Sequence, residues 1–245
     1  MKDTLMRLSS QMGISLTSEQ IRQFEIYGRL LVEWNEKMNL TGITDPVEIA
    51  RMHFMDSLVG YEEIQTALTQ AKAERRQLKL IDVGTGAGFP GLPLKILFPE
   101  IRLTLLDSLQ KRIHFLEAVG AACSLEQVEY LHGRAEETAQ DRAYRETYDV
   151  AVARAVAAMP VLMEYCSGYV KKDGIFIAYK GPSLQEELAG STKAMQVLKL
   201  RQEKILRAEV LGEDYHHYVA VFRKTGPLSL QYPRKQSKIK SAPLT

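Results

Sequence analysis

Cysteine is scarce in this chain, and long apolar runs are missing. Its two cysteines, Cys123 and Cys166, stand far apart and show no CxxC spacing. Zinc sites and disulfide frameworks usually carry closer spacings, so we expect two buried thiols in a reducing compartment. The longest apolar segment, 155–163, ends at Arg154 on one side and Glu164 on the other, and is too short to cross a bilayer. These absences predict a cytoplasmic protein with no membrane span and no metal site.

Acidic residues are missing from the C-terminal end. The chain has 245 residues and a net charge of +2, which indicates little about partners. From residue 223 onward, however, there is no Asp or Glu, and the segment contains Arg223, Lys224, Arg234, Lys235, Lys238 and Lys240. Like-charged tails often bind nucleic acid, and others are solvated and partly disordered. Both interpretations remain open at this point.

The first 65 residues have a helical pattern. Thr17 and Gln20 have the spacing of a capping box, and Asp45-Pro46 favours a helix start. Apolar residues recur every three or four positions after the capping box, at Ile21, Phe24, Tyr27, Leu31, Trp34 and Met38. This stripe predicts a helix that packs on a main domain. We expect an N-terminal helical extension over 1–65 and the main domain over 66–245, with the polar stretch 72–79 as a connection.

Short apolar runs alternate with helical stretches from Leu80 onward, which is typical of βαβ units. The expected strands are LKLIDVG, IRLTLLD, QVEYLH, YDVAVAR and GIFIAYK, followed by a closing pair, KILRAEVL and HYVAVFRK. The first five should be parallel and buried, because their apolar runs are continuous. The predicted fold is therefore α/β: a Rossmann-like, mostly parallel seven-stranded sheet with an N-terminal helical extension.

A glycine-rich turn follows the first expected strand. Gly84, Gly86 and Gly88 form G-x-G-x-G after Asp82, whereas a dinucleotide site requires G-x-G-x-x-G and here has Phe89 at the last position. Glycines allow positive φ and close approach of a ligand. An acid at the end of the strand suits the cationic S-adenosylmethionine better than a pyrophosphate. S-adenosylmethionine is thus the expected cofactor, and the loop with Asp82 its expected binding site. With this cofactor, the predicted sheet is that of a Rossmann-like class I methyltransferase.

The next strand ends also carry polar residues. Asp107 ends the second strand about 20 residues after the loop, where an acid binds ribose hydroxyls, although it could instead cap the helix near Leu109. The third strand leads into Gly133-Arg134-Ala135-Glu136, a turn suited to the adenine ring. Arg154 ends the fourth strand, where an unpaired buried charge would be costly and therefore indicates a function.

The motifs DVGTGAGFPGLPLKILFP, NEKMNLTGIT, HFMDSL, HGRAEE, VARAVA and YPRK occur in this order. From Glu33 to Lys235 the chain thereby resembles the glucose-inhibited division protein B family. The resemblance implies a bacterial methyltransferase that modifies N7 of one guanosine in 16S small-subunit ribosomal RNA. Its partner would be ribosomal RNA or a precursor of the small subunit, and a monomer is expected.

The resemblance also implies site residues. Cofactor contacts are expected at Gly84, Phe89, Ala135, Glu136 and Arg154, beside the general methyltransferase positions Gly86, Gly88 and Asp107. Five further residues are expected near the pocket mouth, or else as caps and turns: Asn35, Asn39, His53, Asp56 and Ser57. In the second interpretation Asn39 ends a helix and Asp56-Ser57 starts the next.

Guanine N7 carries a lone pair and no hydrogen, so its methylation needs no general base. We therefore expect no proton-transfer catalyst. The residues expected to contact RNA are Asn39, His53, Lys111, Arg112, Arg134, Arg154, Lys180, Arg234 and Lys235. Alternatives are a methyltransferase with another substrate, an NAD-dependent oxidoreductase, which Phe89 disfavours, and a non-enzymatic RNA-binding module, which would not need an intact loop.

Overall fold

A seven-stranded sheet forms the centre of the protein, in a computed structural model that describes residues 1–212 and 214–245. The strand order is β3-β2-β1-β4-β5-β7-β6, and only the pairings of β7 are antiparallel. The strands are β1 Lys79–Val83, β2 Arg102–Asp107, β3 Val128–His132, β4 Tyr148–Arg154, β5 Val170–Lys180, β6 Leu200–Arg207 and β7 Tyr218–Lys224. The predicted fold class is confirmed by this topology.

Helices cover both faces of the sheet. They are α1 Lys2–Gln11, α2 Ser18–Met38, α3 Pro46–Ile49, α4 Tyr61–Ala73, α5 Gly91–Leu97, α6 Gln110–Ala122, α7 Ala135–Thr138, α8 Met159–Ser167, α9 Leu184–Ala189, α10 Thr192–Val197 and α11 Gln236–Ser241. A π-helical segment, Ala50–Met55, follows α3, and a 3-10 turn, Glu209–Leu211, follows β6. No helix in the described ranges is long and apolar enough to cross a membrane.

The strand predictions differ from the structure at three places, one of which is β5: it begins at Val170 rather than at Gly174. β3 lies at the sheet edge and is only partly buried, because a strand with one neighbour has an open side. The closing pair is antiparallel, and β6 begins at Leu200, earlier than predicted, in a polar stretch. An edge strand needs little apolar character, so hydrophobic pattern alone does not locate it.

The N-terminal helices pack on one face of the sheet. Thr17 and Gln20 form the predicted capping box at the start of α2, and Asp45 caps α3. The apolar stripe of α2 contacts α5 and α6, and shares one core cluster with Leu80 of β1. Helix α4 continues to Ala73, past the expected division at residue 65. The extension and the sheet thus share a hydrophobic core.

The C-terminal tail is folded onto the opposite face, beside α8. It contains α11, and Ile239 and Leu244 are buried in the second core cluster together with Ile81. The interpretation of this end as a solvated, partly disordered segment was therefore wrong. Apolar residues spaced among the cations, rather than the charge itself, determine this outcome.

Candidate active site

The glycine loop joins β1 to α5, and all three of its glycines have positive φ: 72° at Gly84, 61° at Gly86 and 98° at Gly88. Glycine adopts this region without the clash that a Cβ would cause. The positions differ in their surroundings. A Cβ on Gly88 would lie 2.6 Å from the Tyr27 hydroxyl, whereas one on Gly86 would meet no atom within 4 Å. Gly88 is thus pressed against the core, and Gly86 faces open space.

Asp82 lies beneath the loop and is completely buried. Its Oδ2 accepts hydrogen bonds from the Thr85 hydroxyl at 2.7 Å and from the Gly91 N–H at 2.8 Å. Burial raises the pKa of this carboxyl to about 7. Its other oxygen, Oδ1, has no partner among the described residues. Asp82 therefore fixes the two ends of the loop, and it does not line the neighbouring cleft.

Asp107 connects the loop to the end of β2. Its Oδ2 accepts from the Gly86 N–H at 2.9 Å, and its Oδ1 accepts from the Leu109 N–H at 2.9 Å. The Arg112 guanidinium lies 3.3 Å from Oδ2. A carboxylate offers about four lone-pair sites, so these three bonds leave room for a ribose hydroxyl. The capping contact at Leu109 and the expected ribose contact are therefore compatible.

A cleft of about 270 Å³ lies at the carboxyl ends of β1 to β4. Four residues expected at the cofactor line it: Gly84, Asp107, Ala135 and Glu136. This edge of a parallel sheet is where nucleotides bind in such folds. The lining combines a carboxylate, backbone groups and the small side chain of Ala135, which suit a ribose and a flat base. The residues present therefore fit S-adenosylmethionine.

Phe89 and Arg154 do not line this cleft and belong to a second cluster. The Arg154 guanidinium lies 4.7 Å from the centre of the Phe89 ring and donates to Asp56 at 2.8 Å. His53 stacks on Phe89, with the two ring centres 4.7 Å apart. The structure thus brings the end of β4 together with the N-terminal extension, outside the lining of the cleft that contains Asp107.

His53 is held as a neutral ring. Its Nε2 lies 2.7 Å from the Thr41 hydroxyl, and its Nδ1 lies 3.4 Å from the Arg154 guanidinium. Burial, with Arg154 adding to its effect, lowers the pKa of His53 to about 4. On the other side of the cluster, His217 lies 3.2 Å from Asp56. Asp56 is buried and accepts from cationic or polar groups on both sides.

The other residues expected at the pocket mouth have structural contacts. Asn39 is the left-handed C-cap of α2, as its capping interpretation predicts. Asn35 Oδ1 accepts from the Thr41 N–H at 2.8 Å. The idea that Asp56 and Ser57 start a helix was wrong: α4 begins at Tyr61. The Ser57 hydroxyl instead donates to the His53 carbonyl at 2.6 Å.

The cations expected to contact RNA divide into paired and exposed groups. Lys180 pairs with Glu187 at 2.6 Å, and Arg234 pairs with the buried Glu164 at 2.6 Å. Arg112 and Arg134 line the cleft. Lys111 and Lys235 are exposed. Pairing with a buried acid gives Arg234 a structural role, and the exposed lysines remain the simplest contacts for a phosphate backbone.

Sequence reasoning missed three residues that line the cleft from distant segments: Tyr165 on α8, and Gln236 and Lys240 on α11. It also missed the Tyr27 hydroxyl, which donates to the carbonyl of Ala87 inside the glycine loop. None of these residues belongs to a local motif. Their positions depend on how the tail and α2 fold back, so only tertiary structure locates them.

Comparison with known proteins identifies the family and the fold. Residues 20–213 match the family described as rRNA small subunit methyltransferase G. Relatives of that name are 46% identical in Alkaliphilus oremlandii, covering 100% of this chain and 99% of theirs, and 45% identical in Acetivibrio thermocellus, covering 100% and 97%. The solved 16S rRNA (adenine(1408)-N(1))-methyltransferase from Catenulisporales acidiphilia shares the fold, with a TM-score of 0.50 and 15% identity over 69% of this chain and 92% of that one. S-adenosylmethionine is the cosubstrate, and the chain belongs to the rRNA small subunit methyltransferase G family.

Proposed function

We propose that this protein methylates N7 of one guanosine in 16S ribosomal RNA, by direct transfer without a general base. Methylation of small-subunit ribosomal RNA with S-adenosylmethionine follows from membership of the family. The base, the atom and the mechanism are the proposal. The observation that carries the mechanism is the Arg154 cluster, whose titratable side chains are all engaged with one another.

A general base needs a free acceptor near the substrate proton. In this cluster the Asp56 carboxylate is buried and paired with Arg154, and the His53 ring contacts Thr41 and Arg154. Lys180 is paired with Glu187. Guanine N7 is an acceptor with no proton to remove. Its methylation can therefore take place in a site whose acidic and basic side chains are all bonded to one another. This agreement supports N7 over an exocyclic amine, which must lose a proton.

The chain itself contributes binding and orientation. Gly84 brings the loop backbone to the cosubstrate, and Gly86, which does not line the cleft, holds Asp107 through its N–H. Asp107 accepts from the ribose, and Ala135 and Glu136 flank the base. S-adenosylmethionine supplies an electrophilic methyl group on a sulfonium. Holding an acceptor atom about 3 Å from that group, in line with the breaking bond, converts a bimolecular reaction into an effectively unimolecular one.

Arg154 and Phe89 are the proposed platform on the substrate side of the loop. The Phe89 ring is buried and stacks on Tyr27 and His53, and the Arg154 guanidinium lies over it, 4.7 Å from its centre. The planar guanidinium is the surface on which a base would stack. His53 extends the platform from the N-terminal extension. The extension would therefore complete the substrate site, which explains why it is built into the same core as the sheet.

RNA binding would depend on exposed cations around the cleft. Lys111 and Lys235 are exposed, and Arg112 and Arg134 lie at the cleft itself. Each cation that neutralises a phosphate adds to the affinity and to its salt dependence. Lys180 and Arg234 would act through their ion pairs. We further propose that the protein works as a monomer in the bacterial cytoplasm, on ribosomal RNA or a precursor of the small subunit.

The test is transfer of labelled methyl from S-adenosylmethionine to small ribosomal subunits from a strain that lacks the protein. Naked 16S RNA and subunits from the complemented strain serve as parallel substrates. We expect one equivalent of label, recovered as 7-methylguanosine after digestion to nucleosides, and none in subunits that already carry the modification. Label in another nucleoside would refute the N7 assignment.

An Asp107→Ala variant is the matched control, because it removes the proposed ribose contact and leaves the Arg154 platform in place. It should lose transfer together with affinity for S-adenosylhomocysteine. Transfer to small molecules in a cell extract, with none to RNA of any form, would support the alternative of a different substrate.

A further inference from the structure

Arg145 binds the chain after β7 to the methyltransferase domain, together with Gln140 and Glu146. The Arg145 guanidinium donates to the carbonyls of Leu228 and Ser229, each at 3.1 Å, and to that of Tyr232 at 2.8 Å. Three carbonyls from one short segment are thus bound by a single side chain from the loop before β4. The course of the tail is therefore determined by the fold.

A buried ion pair then fixes the start of α11. Glu164 on α8 is fully buried and accepts from the Arg234 backbone N–H at 2.8 Å and from its guanidinium at 2.6 Å. Ile239 on the inner side of α11 is completely buried. The helix is consequently seated on α8 with one face toward the core and a defined orientation.

Gln236 and Lys240, four residues apart and so neighbours on α11, both line the cleft that contains Asp107. The Arg134 guanidinium donates to Gln236 Oε1 at 2.7 Å. Arg134 precedes α7, where the adenine ring is expected. Gln236 of the tail therefore contacts the turn at which the adenine ring is expected.

The chemistry of Gln236 matches adenine. A carboxamide offers a donor and an acceptor side by side, which pair with the N7 acceptor and the amine donor of adenine. Gln236 Oε1 has two lone pairs, so the bond from Arg134 leaves one free. We propose that α11 forms the base-side wall of the S-adenosylmethionine cleft and that Gln236 and Lys240 bind the adenine. This rests on the proposed placement of the adenosyl group in the cleft.

The experiment measures binding of S-adenosylhomocysteine to the full-length protein by calorimetry, with no RNA present. Gln236→Ala should weaken binding about tenfold, the range for loss of one such pair, and Lys240→Ala should weaken it several-fold. Lys238→Ala, an exposed lysine on the same helix, should bind as wild type does. S-inosylhomocysteine, which has a carbonyl oxygen in place of the amine, should bind wild type more weakly, and Gln236→Ala should lose this preference.

Thermal unfolding without ligand checks that the variants are folded. Folded variants that bind S-adenosylhomocysteine within twofold of wild type would overturn the proposal, and an increased KM for RNA alone would assign the tail to the substrate instead. Failure of the proposed function looks different: tight, Gln236-dependent binding of S-adenosylhomocysteine without formation of 7-methylguanosine.

Discussion

The Arg154 guanidinium donates to the Asp56 carboxylate at 2.8 Å, and both side chains are largely shielded, at 13% and 2% exposure. This ion pair joins the carboxyl end of β4 to the helix-rich extension, two segments 98 residues apart in the chain. The same guanidinium lies over the Phe89 ring at the end of the glycine loop. One contact therefore couples the N-terminal extension, the sheet and the cofactor loop.

Asp56→Ala should be strongly destabilising. It leaves the Arg154 cation in a buried site without its partner, and breaking a buried pair in this way costs about 3–5 kcal/mol. Urea unfolding measures the change in the free energy of unfolding. Arg22→Ala, which breaks the exposed Arg22–Glu19 pair, is the control and should leave the urea midpoint unchanged. Equal midpoints for the two variants would contradict the structural role of the buried pair.

The contribution of His53 to the stability of the protein should fall in mild acid. Its pKa is about 4 in the folded protein, lowered chiefly by burial, whereas an unfolded histidine binds its proton near 6.5. The stabilisation by the neutral ring is thus complete above pH 6.5 and is lost as the pH falls toward 4. The loss amounts to about 3 kcal/mol.

A His53→Gln variant isolates this effect. The difference in the free energy of unfolding between wild type and variant, from urea titrations between pH 7.5 and 4.5, should shrink as the pH falls. Asp82, whose pKa is raised to about 7, changes stability in the opposite direction, but it is present in both proteins and cancels. Parallel stability curves would show that His53 takes up its proton as readily in the folded chain as in the unfolded one.

Two adjacent cations of the tail should respond differently to alanine. Arg234→Ala leaves the buried Glu164 carboxylate unpaired and should cost about 3–5 kcal/mol of stability. Lys235→Ala removes an exposed charge and should leave stability unchanged, while weakening RNA binding and reducing its salt slope by about one. Urea unfolding and filter binding across a salt series separate the two. A salt slope unchanged by Lys235→Ala would remove this residue from the RNA interface.

Much of this fold can be predicted from local sequence patterns. Continuous apolar runs predict β1, β2 and β4 because buried parallel strands leave no polar face, and Thr17 with Gln20 predicts the start of α2 because capping is a contact between near neighbours. The polar edge strand β6 has no such constraint. Its start at Leu200 is determined by pairing with β7 rather than by its own residues.

The site can be predicted only in part, because some of its residues are brought together by tertiary packing and not by local sequence patterns. Asp107 and the glycine loop follow strand ends, so their convergence is a consequence of parallel topology. Tyr165 and Gln236 reach the cleft through packing between α8 and α11, which no spacing in the sequence encodes. Arg234 resembles a surface cation until its partner Glu164 is known. A sequence shows that a residue is charged, but its role depends on how far it is buried and which residue it pairs with.

Gly86 and Gly88 should separate cofactor binding from folding. Alanine at either position must adopt a left-handed backbone, which costs about 1–2 kcal/mol for an L-residue. At Gly88 the new Cβ would also press on Leu92 and the Tyr27 hydroxyl, so Gly88→Ala should lose a further 1–3 kcal/mol, roughly the cost of overpacking.

At Gly86 the methyl meets no protein atom, but it would project into the space in front of the loop, where the cosubstrate is proposed to lie. Gly86→Ala should therefore weaken S-adenosylhomocysteine binding by tenfold or more in calorimetry, a change of about 1.4 kcal/mol in binding free energy, while remaining the more stable of the two variants. Gly226→Ala, at an unstrained and open position, is the control for both measurements. If Gly86→Ala bound S-adenosylhomocysteine like the control, the cosubstrate would not approach this part of the loop, and the open face of Gly86 would need another explanation.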